Sequence, residues 1–315
     1  MDLSNPLITI LGPTSSGKTS LALKLCKEFK GEIVSADSRQ IFKYMDIGTG
    51  KIPTNKNSCV LKKFNGYWVV NGVRINCYDI AHPDNNFSVV DFAKKAEIEI
   101  KRIWQERKVP FLVGGTGFYI DVLCGKVKLS GAKPDLERRG TLKETPLEKL
   151  LEKLRNLNPQ KFEQVDKKNK IRVIRALEIE LDKKKNLQLP ALNFKFSPTI
   201  QIGLTSSRHV IYKKVDGWVD FIFKNGLLQE VRNLIKMGFK NTMPMQGLIY
   251  NEVLEHLDNK KSLQEIKEAI KFDLHSYVRR QLTWFNRNSE INWLDYTDYN
   301  LYLKTLKLIE SNYGK

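Results

Sequence analysis

The chain has 315 residues, 41% of them hydrophobic, with charges interleaved along its length; this excludes a disordered chain and allows one large core or two linked ones. There are 53 Lys and Arg against 35 Asp and Glu, a formal net charge of +18, which favours a polyanionic partner such as RNA or DNA, although a lysine-rich proteome would give the same excess. No run of 18 apolar residues occurs, and the four Cys and four His are dispersed, so neither a membrane span, a disulfide framework nor a zinc site is expected.

The opening "MDLSNPLITILGPT" leads straight into an apolar strand at 6–11, without the basic start and small-residue cleavage site of a signal peptide, and a cytoplasmic protein is expected. "KTSLALKLCKEF" (18–29) has the spacing of the helix that follows. "EIVSAD" (32–37) is a second strand, "SVVDFAKKAEIEIKRIWQERK" (88–108) a helix, and "VPFLVGG" (109–115) a third buried strand. Alternating strands and helices with short apolar strands indicate an α/β core around a parallel sheet. Between them, "VLKKFNGYWVVNGVRINCYDI" (60–80) has two Asn-Gly pairs separating three β-branched and aromatic runs, the strongest short-range hairpin signal. A small β-meander inserted in the core, at about 58–80, is expected.

From about 131 to 190 the composition turns Leu/Glu/Lys/Arg-rich at helical spacing, which predicts a helical insertion domain. The catalytic core would then comprise 1–130 and 191–315. A strand returns at 199–206, and helices follow at about 208–225, 227–237, 249–257 and 262–286.

Gly12-Pro13-Thr14-Ser15-Ser16-Gly17-Lys18-Thr19 matches G-x-x-x-x-G-K-[ST] between a predicted strand and a predicted helix, the context that motif requires. Its amides and the helix N-terminus suit phosphate oxygens, Lys18 adds charge, and the Thr19 hydroxyl can ligate Mg²⁺. The fold class expected is therefore α/β, a P-loop NTPase-like parallel sheet with a helical insertion domain and the small meander. An ATPase or GTPase would end a later strand in an acidic residue, whereas "VPFLV" runs into Gly114-Gly115-Thr116-Gly117. A small-molecule or nucleotide kinase and a non-kinase transferase stay open on these grounds. So do two roles for Asp37, which ends "EIVSAD": a general base, or a cap on a helix beginning "SRQIF".

Taken together, "GPTSSGKTSLAL", "SADSRQIFKYMDIGTGK", "YDIAHPDNNFSVVDF", "FLVGGTGFYIDVL", "RVIRALEI", "GLLQEVRNL" and "RRQLTWF" resemble the tRNA dimethylallyltransferase (isopentenyl-tRNA transferase) family in order and over nearly the whole chain. The resemblance implies transfer of a dimethylallyl group from dimethylallyl diphosphate to N6 of the adenosine 3′ of the anticodon, with release of diphosphate. The partner would be the anticodon stem-loop, the cofactor Mg²⁺ on Thr19, and the expected state a monomer. The phosphate loop would hold the leaving group, helped by Arg208, and Asp37 matches the family's general base. Ser38, Arg39, Gln40, Thr116, Arg138, Arg172 and Arg175 match tRNA-contacting positions; in "RRQLTWFNR", Arg280 and Gln281 are assigned to RNA and Trp284 and Phe285 to packing. A non-catalytic tRNA-binding protein is the third alternative. The chain departs from the family pattern at Trp218, where an arginine is typical and Lys213 or Lys214 could supply the charge, at Ile249, and at Leu274-His275.

Overall fold

The structure, a computed structural model, describes residues 6–53, 59–127, 129, 135–184, 196–197 and 200–313. The chain divides into two compact units, Met1–Val127 with Phe194–Lys315, and Lys128–Asn193. The expected boundaries of the insertion, 131 and 190, lie outside the described residues.

In the larger unit the strands are β1 (Ile8–Leu11), β2 (Gly31–Ser35), β3 (Leu61–Phe64), β4 (Tyr67–Val70), β5 (Val73–Asn76), β6 (Val109–Gly114), β7 (Ile200–Thr205) and β8 (Ile291–Asp295). They form one sheet in the order β3-β4-β5-β2-β6-β1-β7-β8. Every pairing from β5 to β8 is parallel, and β3-β4-β5 is antiparallel. β1 and β6 are buried along their whole length, which is why they read as unbroken apolar runs: a parallel sheet is covered on both faces. On one face Ile8, Ile10, Phe111, Val113, Ile202 and Leu204 pack with Leu21, Ala22 and Leu25 of α1 (Lys18–Glu28) and Ile309 of the C-terminal helix (Leu301–Tyr313). Phe92, Ala93, Ala96, Ile100 and Ile103, all buried, line one stripe of α2 (Val89–Gln105), which begins with a Ser88–Asp91 capping box.

The meander forms as its Asn-Gly pairs predict. Leu61↔Val70 through Phe64↔Tyr67, and Tyr67↔Asn76 through Val70↔Val73, leave two-residue loops, and Asn71 and Gly72 both have positive φ as a primed turn needs. The meander also differs from a free-standing insert, because β5 pairs with β2 and extends the main sheet. β8 and the C-terminal helix go beyond the expected elements. "INWLD" is a half-exposed edge strand, and an edge gives little hydrophobic periodicity to read.

After β6 comes α3 (Gly117–Leu123). The smaller unit holds α4 (Leu136–Glu144), α5 (Leu147–Leu157), α6 (Pro159–Gln164) and α7 (Lys170–Lys184) around Leu142, Leu150, Leu154, Phe162, Val173, Ile174 and Leu177. Asp135 and Asn158 cap α4 and α6 with their side chains. In the larger unit, β7 leads to α8 (Arg208–Lys224), α9 (Leu227–Lys236), α10 (Leu248–Leu257) and α11 (Leu263–Phe285), which share a second core through Val215, Val219, Leu227, Val231, Tyr250, Ile270 and Val278; the C-terminal helix is α12. Among the described residues, no helix is long and apolar enough to cross a membrane.

Leu11 aligns with Gly114 and Gly203, and Ser35 with Val113. The register therefore gathers the carboxyl ends of β1, β2, β6 and β7. β1 is the switch point of the sheet order, the place where open α/β sheets hold ligands.

Candidate active site

The phosphate loop is built against β7. Gly12 has φ +140°, and a Cβ there would lie 2.3 Å from the Leu204 carbonyl oxygen, so only glycine fits. Positive φ at Ser15 and Gly17 curls the following backbone, and α1 begins at Lys18 with its N-terminus toward the concavity. Lys18 folds back, its Nζ donating to the Pro13 carbonyl and, at 3.4 Å, to Ser16 Oγ. Burial brings the Lys18 ammonium down to about 8; the charge of Asp37 acts against that fall and Lys214 adds to it. Lys18 is therefore protonated below pH 8 and loses its charge as the pH rises. Affinity for inorganic diphosphate should fall through this range, by up to about tenfold per pH unit in its Lys18-dependent part. Calorimetric titration between pH 7 and 9 checks this against Lys18→Met, which should lack that component.

Asp37 sits two residues past β2, where Ala36 donates to Val113 O and Thr116 N donates to Ala36 O. No helix starts at "SRQIF": residues 38–41 are turns. Asp37 Oδ1 accepts the Arg39 amide at 2.8 Å, and Oδ2 takes no hydrogen bond from a described residue. Ser38 N donates to Thr116 Oγ1 at 3.0 Å, tying this turn to the one after β6. For Tyr277 of α11, burial followed by the Asp37 charge pushes the hydroxyl up to about 12. Tyr78 and Tyr119 are raised for the same two reasons. Three phenols, Tyr78, Tyr119 and Tyr277, thus lie within the field of the Asp37 carboxylate, a setting no motif announced.

Gln281 differs from its expectation as an RNA contact. It is 6% exposed, its Oε1 accepts the Thr14 amide at 3.0 Å, and its Nε2 donates to Gly115 O at 2.9 Å. Both ends of the amide are used to brace the phosphate loop against the turn after β6. Trp284, one turn on, packs over Gly117 and donates to Asp121 at 2.8 Å, while Phe285 is buried.

The stretch "MDIGTGK" is held from beneath. Glu230 of α9 is buried and accepts the amides of Asp46, Ile47 and Gly48 at 2.7–3.1 Å and the Tyr250 hydroxyl at 2.8 Å. Burial raises its carboxyl and these four donors pull it back. Lys51 is buried and pairs with the half-buried Asp46 and Asp79, and its Nζ also donates to Phe42 O. Trp68 of the meander donates to Asp79 at 2.6 Å. Gln40 Nε2 donates to Thr49 O and its Oε1 accepts from Ser35, so Gln40 links β2 to this loop.

From α8, Lys214 extends to the phosphate loop: its Nζ lies 3.8 Å from a Cβ placed on Gly17 and 4.3 Å above the Tyr296 ring. Loss of solvent lowers its ammonium below the ordinary lysine value. Trp218 stands beside Gly50. Arg208 is exposed at the first turn of α8 and forms no ion pair with a described residue. The structure therefore separates Arg208 from Lys214, which the sequence offers only as an option beside Lys213; both lysines are exposed, and Lys214 is the one that lies against Gly17. His275 Nε2 donates to Asp216 Oδ1 at 2.7 Å, and the ring stacks on Tyr212. Ile249 is buried in the helical core.

The remaining basic positions fall into two groups. Arg39, beside Gly247, and Arg280 are exposed. In the smaller unit Arg172 is exposed, with Asp166 at 3.6 Å. Arg175, by contrast, binds the fully buried Glu178 at 3.0 Å, which Arg139 also clamps through two bonds. Arg138 pairs with Asp182 at 2.7 Å and Asp135 at 3.1 Å. Spacing places Arg172 and Arg175 on one face, but the buried carboxylate claims only the second.

Thr14, Ser15, Gly17, Lys18, Thr19, Asp37 and Gln40 line one cavity of about 820 Å³, with Gly114, Gly115, Lys214, Trp218 and Tyr277. The cavity joins an anion cradle to a carboxylate acceptor and an aromatic wall. No described cluster of three acidic, Cys or His side chains could hold a metal. The Thr19 hydroxyl suits Mg²⁺, which keeps waters and takes much of its coordination from substrate phosphates.

The family model for IPP transferase matches residues 40–288. The tRNA dimethylallyltransferase of Acetivibrio thermocellus is 35% identical over 98% of each chain, and that of Clostridioides difficile 37% over 93% of each. Among solved structures, the tRNA isopentenylpyrophosphate transferase of Bacillus halodurans superposes with a TM-score of 0.70 at 30% identity, covering 98% of this chain and 97% of that one. A eukaryotic dimethylallyltransferase acting on tRNA shares the fold, with a TM-score of 0.75 at 22% identity over 98% of this chain and 79% of that one.

Proposed function

The chain belongs to the IPP transferase family of tRNA dimethylallyltransferases, and from this premise we propose how its own residues carry out prenyl transfer to tRNA. The observation that carries the reading is that the phosphate loop and Asp37 open into one cavity. The donor is dimethylallyl diphosphate, its diphosphate seated on the amides of residues 15–19 and on Lys18 and Lys214. The acceptor is N6 of the adenosine 3′ of the anticodon. As N6 attacks C1 of the donor, the C1–O bond breaks and its electron pair leaves with the diphosphate. The N6 proton becomes acidic as the N–C bond forms and passes to Asp37 Oδ2, while Oδ1 stays fixed by the Arg39 amide. Lys18 and Lys214 neutralise charge that grows on the leaving oxygen. Mg²⁺, held by the Thr19 hydroxyl and the donor diphosphate, would supply further neutralisation when bound. Gln281 and Thr116 act as positioning residues that fix the loop and the Asp37–Ser38 turn.

The target base must leave its stack, which costs a few kcal/mol that protein contacts offset. Arg39 and Arg280, exposed in the larger unit, and Arg172 in the smaller one are the basic side chains best placed to meet RNA phosphate; Arg138 and Arg175 support them through their internal carboxylate pairs. A kinase would need ATP and an acceptor, and no feature of the cavity favours one.

The test is incubation of the protein with labelled dimethylallyl diphosphate and unmodified tRNA, without ATP. Label should appear in adenosine with one diphosphate released per prenyl group. Diphosphate release without labelled RNA, or a requirement for ATP, would overturn the reading. Transfer should weaken steeply with added salt, since phosphate contacts release counterions.

A further inference from the structure

α8 lays one stripe of side chains along the cavity: Lys214, Gly217, Trp218 and Phe221. Spacings of three and four residues keep these on one helical face. The stripe is chemically polarised. Its first member is the ammonium beside Gly17 and over the Tyr296 ring. Trp218 follows one turn later, its Cζ2 lying 3.4 Å from a Cβ placed on Gly50. Gly50 has φ +70°, a conformation that keeps a larger side chain out from behind the indole. The Trp218 ring nitrogen makes no hydrogen bond with a described residue, and Phe221, Ile52 and Pro53 continue the apolar lining.

Four residues along a helix are about 6 Å. From the diphosphate oxygen to the terminal methyl of a dimethylallyl group there are four bonds of about 1.5 Å, one C–O and three C–C, a reach of roughly 5 Å. An anion held at Lys214 and the phosphate loop would therefore place a five-carbon tail at Trp218 and a longer one beyond it. On the proposed prenyl-transfer reading, we infer that Trp218 holds the hydrocarbon end of the donor and, with Gly50 closing the space behind the ring, sets the chain length accepted. The indole face also suits the positive charge that develops on the allylic carbons as the C1–O bond breaks, since it is the strongest side-chain π-site for a cation.

The experiment compares wild type, Trp218→Ala and Trp218→Phe by calorimetry without tRNA, using two probes: inorganic diphosphate and a non-reactive thiolo analogue of dimethylallyl diphosphate. Trp218→Ala should lose about tenfold or more in affinity for the analogue and stay within about twofold of wild type for diphosphate. Trp218→Phe should recover most of the loss. Equal weakening of both probes, or unchanged affinity for the analogue, would overturn the inference. Should the Ala variant fail to fold, the Phe variant decides the same question by a smaller loss confined to the analogue. In transfer assays the preference for dimethylallyl over geranyl diphosphate should fall at least tenfold in Trp218→Ala; an unchanged preference would overturn the length-setting role. Wild type that binds the analogue but prenylates no tRNA would defeat the functional reading and leave Trp218 as a donor contact. Wild type that does not bind the analogue would overturn both.

Discussion

Asp37→Asn should lower single-turnover prenyl transfer by about 10²- to 10⁴-fold, the usual contribution of a positioned general base. Binding of tRNA should stay within about threefold of wild type. The amide is isosteric and its Oδ1 can still accept the Arg39 amide, so the turn after β2 should keep its shape. What is lost is the basic oxygen at the Oδ2 position, which no described residue engages. Adenine N6 is a poor nucleophile because its lone pair is delocalised, and the proton must leave as the N–C bond forms. Measuring transfer of labelled prenyl group under saturating tRNA and donor separates this loss from a binding defect. A rate within about fivefold of wild type would remove Asp37 from the role of base and leave it as the acceptor that shapes the turn.

Replacing Glu230 should produce the largest change in stability. Its Oε2 accepts the amides of Asp46 and Ile47, and its Oε1 those of Gly48 and the Tyr250 hydroxyl. Glu230→Gln keeps the volume, but one orientation turns its NH₂ toward the Asp46 and Ile47 amides, and the other toward the Gly48 amide and the Tyr250 hydroxyl, of which the hydroxyl can turn to accept. At least one buried amide is then left without an acceptor, at a cost of about 1–3 kcal/mol. A loss of about 1–3 kcal/mol follows, which at roughly 2–4 °C per kcal/mol for a domain of this size is a clear drop in Tm. Glu230→Ala strands all four donors and opens a cavity as well, so it should be at least as severe. Activity should fall at temperatures where the variant is still folded, because the Asp46–Gly48 turn leads directly to Thr49, which holds Gln40, and to Gly50, which backs Trp218. Thermal melting with donor affinity measured at 15 °C checks both parts. A melting temperature within 2 °C of wild type would show that the turn needs no acceptor beneath it.

Much of this protein was legible in one dimension. The phosphate loop, the apolar strands on either side of α1, the Asn-Gly turns and the helices from 208 to 285 are local signals: each depends on the conformational preferences of neighbouring residues and on a hydrophobic period of two or 3.6. The family resemblance rested on short motifs of the same kind. Tertiary structure decided which polar groups are available. Gln281 is spent on Thr14 and Gly115, and Arg175 on Glu178. Lys214 reaches the phosphate loop, while Arg208 stays in solvent. Glu230 collects three amides some 180 positions away. Burial and hydrogen-bond pairing are set by what arrives from distant parts of the chain, and a side chain's type and spacing carry no record of that arrival.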